Sequence, residues 1–97
     1  MELKNESLEV RLVVPDRPTV REILRYDSQV DFGYGRQMYE RLWEAAKTII
    51  SEYECPHVAL DIDIESAATD QVAKVIHWVA LAVFSYRQQL DELEKNS

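Results

Sequence analysis

The last third of the chain constrains the fold most. Val72, Ile76, Val79, Val83, Tyr86, Leu90 and Leu93 recur at alternating spacings of four and three. On a helix that spacing gathers all of them along one side as a heptad seam. Thr69 or Asp70 can cap such a helix at its start. Run to Lys95 at 1.5 Å per residue it would be about 40 Å long. A compact domain of this length has a diameter of roughly 30–35 Å, so the final turns are expected to outrun the body.

The same helix is apolar well beyond its seam, because Val75, Trp78, Leu81, Ala82 and Phe84 carry the apolar surface almost round the cylinder. A helix that is apolar on all sides must be covered on all sides. Two further helices and a little sheet are too few to cover it, so one face is expected to meet another chain. The residues expected to bind protein are therefore the seam from Val72 to Leu93 together with Trp43, Trp78, Leu81 and Phe84. An Asp at Val79 would place an unpaired charge in that seam.

Two other helices are legible. Thr19 and Glu22 have the spacing of a capping box ahead of a helix over Val20 to Gln29. Gly33 and Gly35 read as a turn. In the second helix, Arg36 to Tyr53, residues Met38, Leu42, Ala45, Ala46, Ile49 and Tyr53 share one face, widened by Trp43 and Ile50. Pro56 disfavours helical geometry at Cys55 and ends it. Leu8, Val10, Leu12 and Val14 alternate with Glu9, Arg11 and Val13 as in a half-buried strand. The best internal partner is Val58 to Ile64. The fold expected is mainly α within the α+β class: three helices, the last long and heptad-patterned, with a small two-stranded β element. The 97 residues make one domain, with polar fraying ends at about 1–7 and 91–97.

A net charge of −7 disfavours direct nucleic-acid binding, which rests on Lys and Arg displacing counterions. No Lys or Arg lies between Lys47 and Lys74, whereas Glu52, Glu54, Asp61, Asp63, Glu65 and Asp70 do, so one side should be acidic. The longest apolar run, Val75 to Phe84, is well short of the ~20 residues a membrane span needs. A lone Cys55 and an N-terminus without signal-peptide character place the chain in the cytoplasm as an expectation.

Chemistry finds little purchase in this sequence. Cys55 and His57 could form a nucleophile pair, but Pro56 separates them and no Gly-rich oxyanion element accompanies them. Asp61, Asp63 and Glu65 would share one face of a strand and could hold Mg²⁺ or Ca²⁺. However, Ser66 stands where a Ca²⁺ loop needs Gly and Val72 where it needs Glu, so a solvated acidic face is the plainer reading. His77 reads as a hydrogen-bonded core residue, since no His or Cys at i+3 or i+4 completes a metal pair. Arg17, Arg21 and Arg25 recur every four residues and could grip an acidic partner or pair locally with Asp16 and Glu22. No catalytic residue, cofactor or metal is expected.

The stretches Val14 to Glu22 (VPDRPTVRE), Met38 to Ala46 (MYERLWEAA) and His77 to Phe84 (HWVALAVF) resemble, in order and spacing, the small acidic tail assembly chaperones of tailed bacteriophages. The resemblance covers about two-thirds of the chain and carries no diagnostic motif. It implies a mostly helical, non-enzymatic protein that works in the infected cell's cytoplasm and keeps an apolar, helical tape-measure protein soluble. The partners expected are such a client, a second copy, or both. The alternative is an acidic inhibitor or decoy, presenting the acidic segment to a basic, nucleic-acid-binding surface of another protein.

Overall fold

A computed structural model describes residues 1–31, 38–63 and 70–95, with backbone alone at 31 and 93–95. The Gly33 to Gly35 turn, the residues Ile64 and Glu65 and the Thr69 cap lie outside these residues. The elements run β1 (Glu2–Asn5), β2 (Val10–Val13), α1 (Val20–Asp31), α2 (Met38–Ile49), β3 (Glu52–Glu54) and α3 (Asp70–Lys95). The fold is α+β and mostly helical, with three helices beside one antiparallel sheet ordered β1-β2-β3.

The strand expected over Leu8 to Val14 is present as β2, but both of its neighbours differ from expectation. Within the end expected to fray, residues Glu2–Asn5 form β1. Leu3 pairs opposite Leu12 and Asn5 opposite Val10, and the ladder extends outward where Val14 N–H donates to the Met1 carbonyl at 2.9 Å. The hairpin closes over Glu6 to Glu9, where Leu8 N–H donates to Asn5 Oδ1 at 3.1 Å and Glu9 takes a left-handed φ of 57°. Leu8 thus belongs to the turn, which tips it off the sheet.

On its other side β2 pairs with β3, Leu12 opposite Tyr53, and not with the described residues of the Val58 to Ile64 stretch. The register is set where α2 stops: Ser51 N–H and Ser51 Oγ both donate to the Val13 carbonyl, at 2.8 and 3.1 Å. Tyr53 therefore sits on a strand and not at the end of α2. Val58 is buried and Leu60 and Ile62 pack on the core, but the chain there bends through a turn, with Ile62 N–H donating to the Ala59 carbonyl at 3.1 Å. Alternation along this segment reflects inward apolar contacts without a ladder.

The core lies between the inner sheet face and the helices. Val10, Leu12 and Val14 meet Trp43, Ala45, Ala46 and Ile49 of α2 and Val75, Ile76, Val79, Val83 and Tyr86 of α3 in one continuous cluster. At 1.5 Å per residue α3 is about 39 Å long, which accounts for most of the molecule's 43 Å extent.

The capping box forms as read: Glu22 N–H donates to Thr19 Oγ1 at 3.1 Å, and Thr19 N–H to Glu22 Oε1 at 3.0 Å. α1 packs on α2 and is tied to α3 by a fork. Arg87 Nε and Nη2 donate to the two Asp27 carboxylate oxygens at 3.0 and 2.9 Å, and Nη1 donates to Asp91 at 2.7 Å. These bonds hold the guanidinium pKa above its ordinary value. Asp27→Ala should cost about 1–2 kcal/mol, less than a buried charge-assisted pair because Asp27 is 41% exposed and Asp91 remains. A denaturant midpoint equal to that of the parent would refute the fork as an anchor.

Candidate functional site: an apolar strip on the last helix

The seam is used inside the chain. Ile76, Val79, Val83 and Tyr86 are buried, Val72 and Leu90 half-buried, and the Leu93 side chain lies outside the described residues. Trp43 is fully buried. These side chains, expected at a protein-binding surface, form the core, because a three-stranded sheet and α2 supply more cover than a two-stranded element would. In this fold Trp43, Ile76, Val79, Val83 and Tyr86 present almost no surface to a partner, while Val72 and Leu90 stay partly exposed.

What remains outside is the strip beside the seam. Trp78 is half-buried and Leu81 is 39% exposed. With Lys74, His77, Ala82 and Ser85 of α3 they line an open groove of about 490 Å³ whose far wall is Leu8 from the β-hairpin turn. The α3 residues stand close to multiples of a helical turn apart, so they share one stripe. Leu8 is the component that sequence reasoning placed on a strand. The turn residues Asn5 to Ser7 were the available signal.

Phe84 does not join this groove. It is half-buried beside α1, lining a separate depression with Tyr26, Val30 and Arg87. His77 is exposed, contrary to the core reading, and its ring meets Tyr39 edge-on at a centroid distance of 4.0 Å and 71° between planes. This contact brings the start of α2 to the rim of the strip.

The acidic residues fall into two groups. Asp61 and Asp63 are exposed in the turn and loop after β3, so they do not share a strand face, and Glu65 lies outside the described residues. Among the described residues no group of three or more His, Cys, Asp or Glu stands close enough to hold a metal. The stronger acidic feature is the outer sheet face. There Glu2, Glu52 and Glu54 converge on Arg11 at 2.7, 3.6 and 3.7 Å. The Glu2 hydrogen bond is the main cause of the raised Arg11 pKa, with the other glutamates adding to it.

Cys55 is half-buried, with its sulfur 3.9 Å from the Leu8 carbonyl, and His57 Nε2 lies 3.7 Å from the Glu9 carboxylate. Arg17, Arg21 and Arg25 are all exposed, Arg17 before α1 and the others on it. Glu22, a suggested local partner, is taken up by the cap. No helix among the described residues is long and apolar enough to cross a membrane. No family model, curated protein or solved structure matches this chain.

Proposed function

We propose that this chain is a non-enzymatic assembly factor that holds an apolar helical segment of another protein against the outer strip of α3. The observation that carries the reading is the placement of Trp78, Leu81 and Ala82 opposite Leu8. A groove with apolar positions at helical spacing, walled on one side by a turn, suits an amphipathic helix anchored at i, i+3 or i+4, and i+7. Exposed apolar surface on a strongly acidic chain is the combination a holding protein needs, since the charge opposes aggregation of the sticky face. The resemblance to tail assembly chaperones names one class of client, a long tape-measure-like helical protein.

The two tryptophans make the test clean. Trp43 is fully buried, whereas Trp78 lines the groove. Titration with a leucine-rich amphipathic helical peptide should shift the emission of Trp78 to the blue and leave that of Trp43 unchanged. Leu81→Asp should weaken binding by about tenfold or more while the fold is retained. An emission spectrum that stays constant up to millimolar peptide would count decisively against this function.

The acidic inhibitor reading draws on the crowded Glu2, Glu52 and Glu54 face. It expects charge reversal there, and not Leu81→Asp, to abolish binding to a basic protein.

A further inference from the structure

We infer that the outer face of α1 docks on the outer sheet face of a second copy of this chain, making a head-to-tail contact. This rests on different surfaces from the client groove and stands apart from that reading.

The ion pairs among the described residues engage Met1, Lys4, Arg11, Lys47, His57 and Arg87 as their cations. Arg17, Arg21 and Arg25 are outside that set. Arg17 exerts only a longer-range pull on Asp16, whose carboxylate is already held by the Met1 amino group. Between these arginines α1 exposes Val20 at 73% and Leu24 at 62%. A cationic stripe with two bare aliphatic side chains, on a chain of net charge −7, is a surface for an acidic partner with an apolar centre.

The outer sheet face is acidic on balance, since its three glutamates outnumber Arg11 and Lys4, and Lys4 is drawn towards Glu6 at 3.5 Å. Glu2, Glu52 and Glu54 share one guanidinium, which leaves carboxylate oxygens free to accept further bonds. Val13 lies opposite both Glu2 and Glu52 in the ladder and faces outward, since its neighbours Leu12 and Val14 face in. The spacing also agrees. Arg21 and Arg25 are one helical turn apart, about 6 Å along the axis, and Glu52 and Glu54 are about 6.6 Å apart along their strand. Leu24 can then lie against Val13, which is level with Glu52 in the ladder. At physiological ionic strength the Debye length is about 8 Å, so repulsion between the two acidic chains as wholes is largely screened while the contact pairs are kept. Because the two surfaces differ, each copy offers one of each, and the contact generates a ring or an open chain.

Light scattering across a concentration series should give masses rising above the 11.3 kDa monomer. Arg21→Glu with Arg25→Glu should raise the dissociation constant by about tenfold or more, and Glu52→Lys with Glu54→Lys should do the same. Each variant alone sets like charges against like. Mixed together, their altered surfaces become complementary, and assembly should return. Circular dichroism on each variant checks that the fold is intact. A wild-type chain that stays at 11.3 kDa up to roughly millimolar concentration overturns the inference, whatever the variants do. So does a mass that the arginine reversal leaves unchanged, or a mixture that fails to reassemble.

Discussion

Val79→Asp should take away a large share of this protein's stability, whereas Leu81→Asp, two residues further along the same helix, should leave it almost unchanged. Val79 is completely buried in the cluster that joins β2, α2 and α3, and no polar or charged residue is buried among the described residues. A carboxylate there would lie among the apolar side chains of that cluster. The cost is on the order of 3–5 kcal/mol, a large share of the roughly 5–15 kcal/mol that holds a domain of this size together. Leu81 is already 39% exposed, and a charge there stays in water, with an effect within about 1 kcal/mol. Urea unfolding followed by circular dichroism separates the two outcomes. Equal midpoints for the two variants would mean that α3 is rotated from the orientation described here.

That contrast also marks how far sequence alone could resolve this helix. Periodicity identifies which side chains lie along one line of α3, so Ile76, Val79, Val83 and Tyr86 emerge together. It does not say whether the line faces the chain's own core or another molecule, because that depends on how much cover the rest of the chain supplies. The cover was underestimated at two points. β1 contains a single apolar residue, Leu3, among Glu2, Lys4 and Asn5, and one side chain is no alternation. β3 is only three residues long, Glu52 to Glu54, and its Tyr53 also fits the three- and four-residue spacing of α2. Both strands owe their existence to pairing with β2, a non-local cause that a local pattern does not carry. The capping box of α1, by contrast, depends on residues three apart, and it forms as read.

The surface features divide along the same line. The four-residue spacing of Arg21 and Arg25 puts them on one side of α1, but their exposure, and that of Arg17 just before the helix, is a finding of the structure. The groove does not follow from sequence, because Leu8 and Trp78 are 70 positions apart and meet only when the hairpin turn folds onto α3. The Asp27–Arg87 fork is equally remote in sequence. Its two members look like ordinary surface charges until α1 and α3 lie side by side.

Stability should fall steeply above pH 10. Tyr26 and Tyr86 have their phenol pKa values pushed up to about 12, in both cases chiefly by burial, with nearby carboxylates adding to the rise. Tyr53 is raised too, again mainly by burial, with Cys55 contributing. Below pH 10 the folded and unfolded chains both keep these protons, and stability is undiminished. Between pH 10 and 12 the unfolded chain releases protons that the folded chain retains, so each tyrosine removes up to about 1.4 kcal/mol per pH unit.

The hydroxyls are not equivalent at neutral pH. Tyr86 donates to the Pro15 carbonyl at 2.5 Å and Tyr53 to the Val58 carbonyl at 2.7 Å, whereas the buried Tyr26 hydroxyl has no partner among the described residues. Tyr86→Phe should therefore cost about 1 kcal/mol at pH 7, while Tyr26→Phe should be neutral or stabilising by up to about 1 kcal/mol. Both should flatten the alkaline limb. Urea midpoints at pH 7, 10 and 11 test the two effects separately. If both variants lost stability with pH as steeply as the parent, the alkaline transition would have to arise from groups other than these phenols.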